Sequence, residues 1–95
     1  MRIGSFKVHP EKVDELLRVY VSEAIPLIKA ATGNQNAFLL KQHGESNCFQ
    51  ACTLWKTKED AENYEASGKA LEMVNKVRHM FDGPPNLVTY DVYGL

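Results

Sequence analysis

Four aromatic side chains, Trp55, Tyr64, Phe49 and Tyr20, have types and spacing that could serve chemistry. Phe49, Ala51, Thr53 and Trp55 alternate through a strand-like run, so they share one face of a sheet. Tyr64 falls on the helical segment that follows, and Tyr20 lies on the apolar stripe of an earlier helix. Trp55 and Phe49 could wall a pocket for a flat aromatic molecule, while either tyrosine adds a wall and a hydroxyl donor. The same spacings also describe an ordinary packed core, and the residues alone leave both readings open. No side chain earns a catalytic role by its position. His9 precedes a helix, His43 ends a strand, and His79 sits among charged residues. Glu59 and Asp60 are accounted for by helix capping. No phosphate-binding glycine loop, nucleophile elbow or metal-ligand spacing occurs.

The elements that must position these residues follow from pattern. Ile3 to Val8 reads as a strand with Gly4, Phe6 and Val8 on one side. Pro10 suits the first position of a helix, and Val13, Leu16, Leu17, Tyr20, Val21, Ala24 and Ile28 make its apolar stripe. Pro26 predicts a kink or end near Ala24 or Ile25, a further turn over Leu27 to Ala31, and a stop at Gly33. Asn36 to His43 reads as a second strand, Gly44 to Asn47 as a turn, and Cys48 to Trp55 as a third strand. Neither face of that third strand carries a charge, so it is expected at the centre of the sheet. Thr57 caps the next helix, accepting from the Asp60 amide, with the Asp60 carboxylate reaching back. That helix runs to about Ala66, breaks at Ser67-Gly68, and resumes from Lys69. Ala70, Met73, Val74, Val77, Met80 and Phe81 then share one stripe, before Asp82 to Pro85 ends it. Leu87 to Tyr93 reads as a fourth strand.

The order β-α-β-β-α-β is that of an α+β, ferredoxin-like unit with an antiparallel sheet and helices on one face. Ninety-five residues suffice for one such domain, residues 1–95. The other sheet face would carry Cys52, Leu54 and much of strands two and four, largely apolar. Two copies joined through these sheet faces, a homodimer, would cover it. Basic and acidic residues number 11 and 12 and are scattered, which leaves no footprint for nucleic acid. No run approaches the ~20 apolar residues of a membrane helix, no signal-like segment is visible, and the expected setting is cytoplasmic. Cys48 and Cys52 would stand ~13 Å apart in one strand, too far to bridge.

Four stretches carry a resemblance: Phe6 to Lys12 leading into the first helix, the Gly33 turn, the junction Thr53 to Ala61, and the closing run Pro85 to Val92. Together they resemble the antibiotic biosynthesis monooxygenase superfamily of dimeric α+β barrels. The resemblance implies several chemistries: oxidation of anthrones or quinols by O₂ without metal or flavin, haem degradation, or isomerisation of small signalling molecules. The anthrone-oxidising type accompanies its Trp with Asn and Tyr where this chain has Ala51 and Ala61. The quinol-oxidising type has His at the positions of Tyr64 and Lys69. The haem-degrading type has Trp and His where Tyr64 and Val74 stand, and Asn nearest to Gly4. The resemblance therefore implies a cofactor-free monooxygenase-like homodimer acting on an aromatic or quinol-type small molecule. The alternative is a noncatalytic ligand-binding or accessory dimer of the same fold.

Overall fold

The computed structural model describes Met1–Leu95. Its strands are β1 (Arg2–Lys7), β2 (Asn34–Lys41), β3 (Cys48–Trp55) and β4 (Asn86–Thr89), in the sheet order β2-β3-β1-β4 with every neighbouring pair antiparallel. The helices are α1 (Val13–Val19), α2 (Ile25–Lys29), α3 (Lys58–Ala66) and α4 (Lys69–Val77). This is the ferredoxin-like α+β arrangement, with the uncharged strand β3 inside the sheet.

Two cross-strand registers decide what lies beneath the helices. Gly4 is opposite Ala51, and Phe6 is opposite Phe49. At the second pair the rings stack, with centroids 5.7 Å apart, and Phe81 tilts onto Phe6 at 5.1 Å. Phe6, Val8, Leu16, Phe49, Val77 and Met80 form the buried core around them. Backbone bonds tie this end of the sheet to the chain leaving α4: His9 N–H to Met80 O at 2.9 Å and Asp82 N–H to Lys7 O at 2.9 Å. At the first pair there is no comparable side-chain mass, and space remains.

The first helix departs from a uniform α-helix. Between α1 and α2, Tyr20–Ala24 widens into a π segment, and Pro26 stands at the start of α2. Pro26 has no N–H to return to the carbonyl four residues earlier, and a wider turn accommodates that loss without ending the helix. The expected interruption is therefore a change of pitch that carries Tyr20 on its first residue.

The β3–α3 junction forms around Thr57, whose side chain accepts the Asp60 N–H at 3.0 Å. The reciprocal half of the predicted box is absent: the Asp60 carboxylate lies instead over Gly33, where a Cβ would collide with it. Gly33 has φ 80° and its carbonyl accepts the Lys56 N–H at 2.7 Å. A side chain at this residue would meet both a left-handed backbone and Asp60. The α2–β2 turn and the β3–α3 junction are thus locked together.

The fourth strand is shorter than its pattern suggests, four residues instead of Leu87 to Tyr93. It pairs with β1 alone, and the ladder ends at Arg2 opposite Thr89. Next to that pair, Met1 exchanges backbone bonds with Tyr90 at 2.7 and 2.8 Å. Residues after Tyr90 pair with no strand of this chain. Likewise β2 begins at Asn34, two residues before its predicted start, and ends at Lys41, with a register shift between Asn34 and Asn36.

On the face away from the helices, Cys52 is only 1% exposed, flanked across the ladders by Ile3 and Phe38. Leu40 and Val88 of the same face are 46% and 39% exposed. Both cysteines are free thiols. No helix is long and apolar enough to cross a membrane.

Candidate functional site

A cavity of about 340 Å³ lies between the sheet and the helices. Its size falls within the roughly 300–1,000 Å³ of small-molecule sites, and 15 of its 21 lining residues are hydrophobic. Small residues create it. Gly4 and Ala51 form the sheet floor, and Ala24, Ala61 and Ala70 contribute little bulk from the helices. A Cβ at Gly4 would meet only ordinary contacts, Ala51 O and Leu87 Cδ1, both at 4.0 Å.

Three of the four aromatics named from sequence meet at this cavity: Trp55 from the end of β3, Tyr64 from α3, and Tyr20 from the π segment. The Trp55 and Tyr64 rings lie 5.4 Å apart, tilted by 35°. The indole N–H donates to Thr53 Oγ1 at 2.9 Å, between two residues of one strand face. That bond fixes the indole as a wall and consumes its only donor. Phe49 is absent from the lining: it is 2% exposed and stacked within the core. Its face was read correctly, but the large Phe6 opposite it fills the space that Gly4 leaves open opposite Ala51.

The polar character of the cavity is sparse and one-sided. The Tyr64 hydroxyl is buried with no protein hydrogen-bond partner. Such an unpaired buried group costs ~1–3 kcal/mol relative to a paired one, so it stands ready for a ligand oxygen. Burial raises the Tyr64 pKa. Tyr20 is pushed up to about 12, chiefly by burial, with smaller contributions from Tyr64 and Cys52. Both phenols are consequently neutral at physiological pH and present O–H donors.

Sequence reasoning missed three polar lining residues, Arg2, Glu65 and Asn86. Arg2 and Glu65 form an ion pair between β1 and α3. The signal was available for Arg2, which alternates with Gly4 and Phe6, and for Glu65, next to Tyr64. What strand alternation does not show is that Glu65 arrives from α3 to pair with Arg2. No three His, Cys, Asp or Glu side chains converge in a metal-binding cluster. The histidines stand elsewhere, His43 and His79 being exposed.

Comparison with solved structures returns the same architecture at low identity. A Nitrosomonas europaea protein, provisionally named an antibiotic biosynthesis monooxygenase, superposes with a TM-score of 0.85 at 17% identity, covering 98% of this chain and 97% of its own. A conserved Methanosarcina mazei protein gives 0.84 at 17%, covering 94% and 87%. A Streptomyces coelicolor monooxygenase from the gene ActVA-Orf6, solved with the ligand nanaomycin D, gives 0.83 at 16%, covering 99% and 87%. At such identities these likenesses speak for the fold. No curated protein matches by sequence. The family model described as antibiotic biosynthesis monooxygenase, however, matches residues 1–76. By that match over most of its length, the chain belongs to the antibiotic biosynthesis monooxygenase family.

Proposed function

We propose that this protein binds a planar, fused-ring phenol or quinol in the cavity and oxidises it with O₂, without metal or flavin. The observation that carries the reading is an apolar, aromatic-walled cavity with one buried, unpartnered hydroxyl, that of Tyr64. Such a substrate supplies its own electrons. In the keto tautomer of such a phenol, as in an anthrone, loss of a ring-methylene proton to solvent gives an electron-rich enolate, which passes an electron to O₂; the resulting radicals combine to form a C–O bond. Protonation and loss of water from that peroxide leave a ketone, so CH₂ and O₂ become C=O and H₂O, whereas a quinol passes two electrons and two protons to O₂ and leaves as the quinone with H₂O₂. Trp55 and Tyr20 would hold the ring, and the Tyr64 O–H would donate to the oxygen on which charge develops. Binding of nanaomycin D by the Streptomyces coelicolor monooxygenase supports, through fold alone, a small-molecule occupant here.

Aerobic and anaerobic incubation with a panel of anthrones and hydroquinones tests this. The expected result is O₂-dependent conversion to the ketone or quinone, with Tyr64→Phe slower by roughly 10²–10³-fold, the usual loss for one such donor. The same variant should melt no lower than the parent, because its hydroxyl bonds nothing in the protein. Absence of O₂-dependent turnover at every pH tried would refute the oxygenase reading.

A second reading, ligand binding without turnover, draws on the lack of a free base in the cavity: its one carboxylate, Glu65, is already paired with Arg2. Thermal stabilisation by a ligand recovered chemically intact would favour it. For either reading the assembly proposed is a homodimer through the face bearing Phe38, Leu40 and Val88, which no part of the chain's helical layer covers. Sedimentation at micromolar concentration should give twice the chain mass, and a monomer there would contradict it.

A further inference from the structure

We propose that Arg2 sets the charge specificity of the cavity, its guanidinium receiving the anionic oxygen of an ionised aromatic ligand such as a phenolate, enolate or carboxylate. This deepens the reading above and rests on the cavity being the ligand site.

Arg2 is placed by β1, where strand alternation turns it to the helix side with Gly4 and Phe6. It pairs in register with Thr53 on one side and Thr89 on the other. Its side chain is only 16% exposed and lines the cavity wall. A guanidinium carries its charge at every accessible pH and offers five N–H donors. It makes one hydrogen bond, from Nη1 to Oε1 of Glu65. The remaining donors have no acceptor in the protein. Arginine–carboxylate pairs are frequently bidentate forks, and this one is single, which leaves the guanidinium with donors for a second oxygen.

Glu65 is the more exposed member of the pair, at 46%. It sits at the rim, from which it can swing to water. Arg2 has less freedom, being held by a strand on the cavity side of the sheet. The other polar groups are also suited to an oxygen: Tyr64 contributes a donor, and Thr53, which accepts the indole N–H, keeps its own O–H. Apolar surroundings lower the effective dielectric and strengthen the attraction between Arg2 and a ligand anion. A ligand with an acidic oxygen at one end of a flat apolar body therefore matches the distribution of groups. For an oxygenase substrate, the same attraction favours the ionised form that must surrender an electron.

The test compares two fluorescent probes with the same rings, an anthracene carboxylate and the corresponding anthracene methanol, titrated into the full chain. The parent should bind the carboxylate about 10- to 100-fold more tightly, the range expected for a hydrogen bond to a charged group. Arg2→Gln should erase that difference while leaving the alcohol within about twofold of its parental affinity, and Arg2→Lys should restore part of it. Glu65→Gln, which removes the competing carboxylate, should tighten the carboxylate probe. Equal affinity for the two probes in the parent would overturn the inference while leaving the site reading intact. So would an equal loss of both in Arg2→Gln with thermal unfolding lowered, which is the mark of a structural ion pair. Binding of neither probe would sink this inference and the ligand-site reading together.

Discussion

Phe49→Ala should lower stability by about 3–5 kcal/mol, the range for removing a buried aromatic ring. Against the ~5–15 kcal/mol that holds most domains together, such a loss leaves little margin. Phe49 stands on one of the two strands with neighbours on both sides, and its ring stacks on Phe6 of the other, which in turn contacts Phe81. One truncation therefore removes the middle of a tier joining β3, β1 and the segment after α4. The cavity it would leave is surrounded by the most buried residues in the chain, among them Val8, Leu16 and Met80. Those side chains are held by several elements at once and cannot all collapse inward. Urea denaturation reads the change as a fall in midpoint at nearly constant slope. A loss below about 1.5 kcal/mol would show that the site relaxes like an ordinary half-buried position. Trp55→Phe is the informative partner, because it keeps an aromatic wall, removes the bond to Thr53, and should leave the fold intact.

That contrast marks where the sequence was legible and where it was not. The limits of β3 and the Thr57 cap followed from local pattern, because strand alternation and capping are decided by residues near one another. So were the faces: Phe49 and Trp55 do point the same way. What pattern on one strand cannot carry is the identity of the residue across the ladder. Phe49 faces Phe6 and becomes core; two residues on, Ala51 faces Gly4 and becomes the floor of a cavity. The excess predicted length of β4 has the same origin. Its residues to Tyr93 alternate well enough, but the ladder with β1 closes at the Arg2–Thr89 pair. The π segment was hidden for a different reason. A stripe spaced three and four apart scarcely changes when one turn widens, and only the missing N–H of Pro26 hints at it. Arg2 escaped notice although its parity was plain, since burial of a charge near a chain terminus depends on Glu65 arriving from α3.

Gly4→Val should separate the cavity from the fold. Gly4 lies in a strand interior, where glycine weakens the backbone and packs nothing. Its φ is not in the left-handed region, and an added Cβ meets nothing closer than 4.0 Å. A β-branched residue suits that backbone, and replacing glycine typically restores ~0.5–1 kcal/mol. For a domain of this size the melting temperature should rise by several degrees, at about 4–8 °C per kcal/mol. Yet the new side chain projects into the cavity between Trp55, Tyr64 and Leu87. A rigid aromatic ligand would then have to displace it or sit off the floor, at a cost of ~1–3 kcal/mol for overpacking. Ligand affinity should fall about 10- to 100-fold, in a protein that is at least as stable as its parent. Thermal unfolding and fluorescence titration on the same preparation read both effects. If affinity is retained while the melting point rises, the ligand is bound elsewhere, and the space opposite Ala51 is only a packing gap. If affinity falls as stability grows, the absence of a side chain at Gly4 serves binding and works against folding.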